Sequence, residues 1–113
     1  MNEYPTFAQD IEAKFDGERI DAVVIGFFSP DYTADEKYLP GNNRAGEVLE
    51  WEEARPLLNY DYSTSYGYVE CHPVYVYSRT RVAVVACYDG EAWLKSIPRY
   101  PLAGELPEYA GGG

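Results

Sequence analysis

A chain of 113 residues suits one domain, and its 46% hydrophobic and 16% aromatic content can bury a core without disulfide or metal staples. Its net charge of −10 is uneven: residues 1–70 hold 15 acidic and 5 basic residues, while residues 71–113 hold 4 of each. That balance argues against direct binding to DNA, RNA or anionic lipid, which needs clustered Lys and Arg, and no run approaches the roughly 18 apolar residues of a membrane span. With no basic segment leading into an apolar one at the start, a cytoplasmic location is expected, where Cys71 and Cys87 would be reduced thiols.

Thr6-Phe7-Ala8-Gln9 has the form of a capping box, and Phe7, Ile11 and Phe15 recur every four residues on one helical face. Asp10 and Lys14 form an i,i+4 pair, and Gly17 stands where a left-handed C-cap is needed. A helix from Phe7 to Asp16 follows, with Asp10, Glu12 and Asp16 on its exposed side.

Ile20–Phe28 reads as a strand, β-branched and aromatic, apolar on both faces from Ala22 and ended by Ser29-Pro30-Asp31. From Asp31 to Gly46 no period is visible, and Pro40-Gly41-Asn42-Asn43 is turn chemistry, so a long loop is expected. Val48-Leu49 suggests a short strand. Trp51, Ala54 and Leu58 share a helical face, with Glu50, Glu52 and Glu53 toward its N-terminal end. Pro56 should kink that helix or confine it to a turn on either side.

Between Asn59 and Tyr68, Tyr60, Tyr62, Tyr66 and Tyr68 interleave with small polar residues and Asp61. No Lys or Arg lies between Arg55 and Arg79, so stacking on nucleic acid is excluded for this segment. The composition matches a binding loop in which rigid aromatics supply contact area, or a surface segment whose tyrosines pack along their rings.

Val74–Tyr77, Val82–Tyr88 and Ala92–Ile97 are three β-prone runs, and Asp89-Gly90 is a strong hairpin signal. A two-residue loop there pairs Cys87 with Ala92, Val85 with Leu94 and Ala83 with Ser96 on one face. The other face receives Ala86 with Trp93, Val84 with Lys95 and Val82 with Ile97. A second two-residue turn at Arg79-Thr80 adds Val74 and Val76 to the first face, Tyr75 and Tyr77 to the second. The aliphatic face should take the helix. The aromatic face is then covered by the Trp51 segment or left as a binding surface. Pro98-Arg99-Tyr100-Pro101 has a bare P-x-x-P spacing, better read as an extended tail than as a polyproline ligand.

The chain therefore reads as one α+β domain over residues 1–110. An N-terminal helix packs on an antiparallel sheet of about four strands that ends in a three-stranded β-meander, and residues 111–113 form a flexible Gly tail. No Walker-A, G-x-G-x-x-G or G-x-S-x-G motif is present, and no cofactor is implied. The extended register sets His72 opposite Cys87, the pairing a thiol nucleophile needs. Against it, Cys87 closes an apolar run where an inert thiol is usual. Cys71, His72 and Cys87 make a weak zinc set without Cys-x-x-Cys spacing.

From Trp51-Glu52-Glu53-Ala54-Arg55-Pro56-Leu57-Leu58, through Cys71-His72 and Tyr88-Asp89-Gly90, to Pro98-Arg99-Tyr100-Pro101, the order of features resembles uncharacterised small acidic proteins of actinobacterial genomes and their phages. The resemblance spans residues 47–101 and implies no activity. It implies a mobile-element setting, in which small acidic proteins, anti-CRISPRs among them, block host factors. The expectation is a non-enzymatic module that presents Asp31, Asp35, Glu36, Glu47, Glu50, Glu52, Glu53 and Asp61, with Tyr60, Tyr62, Tyr66 and Tyr68, to a basic, nucleic-acid-binding surface of a host protein in the host cytoplasm. The alternatives are a thiol enzyme at His72/Cys87 and a structural subunit of a larger assembly.

Overall fold

A computed structural model of the chain describes residues 5–28, 36–62, 69–88 and 91–107. Helix α1, Phe7–Phe15, begins at the expected capping box: Gln9 N–H donates to Thr6 Oγ1 at 3.2 Å and Thr6 N–H donates to Gln9 Oε1 at 2.8 Å. Phe7, Ile11 and Phe15 are buried. The left-handed turn starts one residue earlier than expected, with Asp16 at φ 48° followed by Gly17 at φ 84°. Asp tolerates this region better than most residues, because its short side chain bonds locally.

Strand β1, Ile20–Ile25, is shorter than the expected Ile20–Phe28, and Phe27 is 65% exposed. It is paired with another strand on each edge. A 3₁₀ turn at Glu36–Tyr38 leads into α2, Leu39–Asn42, and the segment expected to be an irregular loop is thus partly helical. Pro40 sits in the first turn of α2, where its missing N–H has no intrahelical partner to lose. The described part of this segment is tied down by Asn42, whose side chain accepts from Phe28 N–H and donates to Phe28 C=O, both at 2.8 Å. Asp31, Asp35, Tyr66, Tyr68, the Ser29-Pro30-Asp31 stop, Asp89-Gly90 and the Gly tail lie outside the described residues.

Val48–Leu49 forms strand β2, and α3 runs through Trp51–Leu58. Helix α3 runs without a break through Pro56. Pro56 has no N–H to offer the Glu52 carbonyl, and both residues are exposed, so that carbonyl is not buried by the lost bond. Strands β3 (Val74–Ser78), β4 (Arg81–Tyr88) and β5 (Glu91–Pro98) form the meander. All six expected β4–β5 pairs are present, and the β3–β4 pairing of Tyr75 with Val84, Val76 with Ala83 and Tyr77 with Val82 matches the two-residue turn at Arg79-Thr80. That turn succeeds with poor turn residues because Ser78 Oγ accepts from the Thr80 and Arg81 amides and Glu18 Oε1 accepts from Thr80 N–H.

The sheet has five strands rather than about four, in the order β2-β1-β3-β4-β5, with every pair antiparallel. The fold is α+β with the N-terminal helix on the sheet. The inner face carries Leu49, Val23, Ile25, Val74, Val76 and Ala83, all at most 3% exposed. Helix α1 packs on β4 and β5, and α3 packs on β1 and α1, so the aliphatic face takes the helices.

Candidate functional site

Three regions hold the chemistry. The first is a polar cluster within the core. His72 is fully buried, with Nδ1 2.8 Å from Tyr60 Oη and Nε2 3.1 Å from the Tyr38 carbonyl. Tyr60 Oη also accepts from His72 N–H at 2.9 Å, so its own proton goes to Nδ1 and Nε2–H donates to Tyr38. Burial holds the imidazole below its ordinary value, partly opposed by the Tyr38 carbonyl. The Tyr38 hydroxyl donates to the Glu70 carbonyl at 2.8 Å, and Phe28 stacks on the Tyr38 ring at 4.1 Å.

This cluster corrects two expectations. Tyr60 is not a contact residue of a binding loop; it is 8% exposed and serves His72. Nor is His72 paired with Cys87. Both imidazole nitrogens are engaged elsewhere, while the Cys87 side chain is exposed. Strand β3 begins only at Val74, so the register that would set His72 against Cys87 is not continued that far. Cys71 is buried, and that burial pushes its thiol up to about 12, the reverse of activation. The zinc set dissolves for the same reasons, and among the described residues no group of three His, Cys, Asp or Glu could hold a metal ion. Gly41 gave no signal in the sequence beyond turn chemistry, yet it belongs to this cluster: a Cβ there would lie 2.8 Å from His72 Cε1 and Nε2.

The second region is the acidic helical side. Glu12 is not free on the α1 surface: Arg55 donates to both its oxygens, at 3.2 and 3.1 Å, and Trp51 Nε1–H donates to it at 3.2 Å. The Arg55 bonds are the main cause that holds Glu12 below the usual carboxylate range. Asp10 accepts the Tyr62 hydroxyl rather than pairing with Lys14, and Tyr62 is half-buried against Phe7. Glu47 and Glu53 grip Arg44 at 3.0 and 3.2 Å, and Glu53 also accepts from Glu50 N–H to start α3. Of the expected contact acids that are described, Glu36, Glu50 and Glu52 are exposed, and Asp61 is exposed beside Lys37, which donates to its carbonyl at 3.1 Å.

The third region is the outer sheet face. Tyr75 is 56% exposed, Trp93 37%, Ile97 50%, Tyr88 53% and Val48 76%. The Trp51 segment does not cover it, because Trp51 is held to Glu12 in the helical layer. Alternation along each strand had assigned Tyr75, Trp93 and Ile97 to one face, but whether a helix would cover them depended on where α3 docks. After β5, Arg99 fixes the tail: its N–H donates to Thr80 C=O at 2.8 Å, its guanidinium donates to Ser78 C=O at 2.9 Å, and it lies over the Tyr77 ring. The Pro98–Pro101 spacing is thus docked at its Arg99 and does not present a free polyproline ligand.

Comparison with protein-family models, with curated proteins and with solved structures finds no match. No helix among the described residues is long and apolar enough to cross a membrane.

Proposed function

We propose that the chain is a non-enzymatic protein-binding module that offers the carboxylates of its helical side to a basic surface on a partner protein. One observation carries this reading. Each Lys and Arg of residues 36–62 is already engaged within the chain: Arg44 by Glu47 and Glu53, Arg55 by Glu12, and Lys37 by the Asp61 carbonyl and the Tyr38 and Tyr60 rings. The acids beyond those pairs, Glu36 and Glu52 foremost, face solvent. A surface of this kind attracts cations, speeds encounter with a basic partner and rejects phosphate. Where the basic surface is a nucleic-acid channel, the module acts as a competitive inhibitor, the mode of phage anti-defence proteins such as anti-CRISPRs.

The test uses a fluorescent arginine-rich peptide titrated with the chain from about 0.05 M to about 0.5 M NaCl. Affinity should fall steeply with salt and collapse in the Glu36→Lys, Glu52→Lys double variant. Glu50 and Glu53 are poor choices for reversal, since Glu53 caps α3 and holds Arg44. An affinity unchanged by the double reversal overturns the proposal. The structural-subunit alternative draws support from the exposed outer sheet face.

A further inference from the structure

The two edges of the sheet differ. Strand β2 closes one edge with two residues, whereas β5 leaves eight on the other, in register with β4 from Glu91 to Pro98 without a bulge. The phase of that ladder shows which backbone groups β4 uses. Arg99 N–H donates to Thr80 C=O one step past the Arg81–Pro98 pair, and bonded pairs alternate along an antiparallel ladder. Ile97, Lys95 and Trp93 therefore turn their N–H and C=O groups to β4, while Ala92, Leu94, Ser96 and Pro98 turn theirs to the open side. Pro98 has no N–H, so the open row of donors ends at Ser96. Among the described residues no other backbone pairs with this row. Arg81 reaches it with a side chain, donating to Ser96 C=O at 3.4 Å, and that oxygen keeps a second lone pair.

A hollow of about 840 Å³ lies against the row. Its wall takes four consecutive residues of β5, Lys95 to Pro98, and none of β4. A hollow over either face of the sheet would meet alternate residues and the neighbouring strand, so this one lies at the edge. Its other wall is the returning chain of residues 99–107, held by the Arg81–Glu105 pair at 3.3 Å. Ile97, Tyr100, Leu102 and Leu106 line the hollow and are exposed.

We infer that this slot takes an extended, uncharged segment of a partner protein, which adds to the sheet as a further strand beside β5. Unpaired N–H and C=O groups at two-residue spacing are matched by another extended backbone, and Ile97, Leu102 and Leu106 offer apolar contact to its alternate side chains. The charges of the slot call for none in the segment: Arg81 is paired with Glu105, Arg99 donates to Ser78 C=O, and Lys95 also has a partner within the chain. A second copy does not suit the same place. The tail stands beside β5 in each copy, so two such edges could meet only with both tails between them, and chains of net charge −10 repel. A single strand needs only the ~4.8 Å spacing of a sheet. The slot uses none of the carboxylates on which the function proposed above depends.

The test titrates the isotope-labelled full chain with capped, uncharged peptides of about seven residues, carrying Val, Ile or Leu at alternate positions, and follows its amides by NMR. At least one peptide should bind saturably and independently of salt, shifting the Leu94 and Ser96 amides and slowing their exchange with solvent. N-methylation of that peptide at the alternate residues facing β5 should cost about tenfold or more in affinity, and at the intervening residues little. Ser96→Ala keeps the backbone donor and should bind as the wild type does. Ser96→Pro removes the donor and should lose about tenfold, since an edge strand tolerates Pro where its N–H faces outward. If that variant misfolds by circular dichroism, the N-methyl series decides alone, because it leaves the chain unaltered. No saturable binder in the panel, shifts that avoid β5, or equal losses in the two N-methyl series would overturn the inference. So would protection of Leu94 and Ser96 that grows with chain concentration in the absence of peptide, which would give the edge to a second copy. None of these outcomes touches the acidic-side proposal, which is read from salt dependence and the Glu36 and Glu52 variants.

Discussion

The hydroxyl of Tyr60 lies 2.8 Å from Nδ1 of His72 and 2.9 Å from its backbone nitrogen, so one phenol both donates to and accepts from the same buried residue. This double bond of contacts pins the segment after α3 to the start of the meander. Tyr60→Phe keeps the ring and removes the oxygen. It leaves the His72 N–H and Nδ1 buried without a partner, at a cost of about 1–3 kcal/mol. Urea denaturation should show that loss; a change below about 0.5 kcal/mol would contradict the assignment.

The same cluster sets a pH dependence. His72 is the only histidine, and its folded pKa lies below the ordinary 6.5. As pH falls, the unfolded chain takes the proton first, so stability is whole above about 6.5 and declines as pH drops toward the folded pKa. The carboxylates of Glu12, Glu18 and Glu53, held low by their partners, keep their contribution above about 4.5 and lose it only below that. Urea midpoints measured from pH 7.5 down to about 5 should fall for the wild type. In His72→Gln the curve should be flat over that window, though at a lower overall stability.

Gly41→Ala should be destabilising by about 1–3 kcal/mol, because the new methyl meets a packed imidazole and not a flexible chain end. Thermal melts of Gly41→Ala and the wild type measure this. A neutral or stabilising outcome would mean that His72 can move aside.

Thiol labelling separates the two cysteines. Cys87 is exposed, and Cys71 is 1% exposed with its thiol pushed up to about 12. A thiol reagent at neutral pH should modify one group per native chain, mapped to Cys87, and the second only in urea. Fast labelling of Cys71 in the native state would contradict its burial.

Much of this fold was legible in the sequence because its determinants are local. The Thr6/Gln9 capping box and the Phe7-Ile11-Phe15 spacing specify α1, the β-prone runs from Val74 to Ile97 specify the three meander strands, and strand pairing then followed from the two-residue spacing of turns. The segment around Leu39–Asn42 was misread because its helix is held by distant partners, Asn42 on Phe28 and Gly41 under His72. Tyr60 was misread for a similar reason: a tyrosine among Ser, Gly and Asp has the composition of a surface loop, and only His72, twelve residues on, gives its hydroxyl a buried partner. Likewise Glu12 and Glu53 read as free surface charge until Arg55 and Arg44 came within reach. Net charge can be counted in a sequence; the pairing that leaves Glu36 and Glu52 as the available carboxylates cannot.

Which side of the molecule meets a basic partner decides between a defined acidic surface and bulk charge. Two double neutralisations change net charge equally but at different places: Glu36→Gln with Glu52→Gln in the helical layer, and Asp21→Asn with Glu105→Gln on the sheet and tail. Binding of each to the same arginine-rich peptide, at one fixed salt concentration, compares position with charge alone. The helical pair should lose about tenfold in affinity and the sheet pair little. Equal losses from the two variants would show that only bulk charge matters, and would contradict a defined acidic surface.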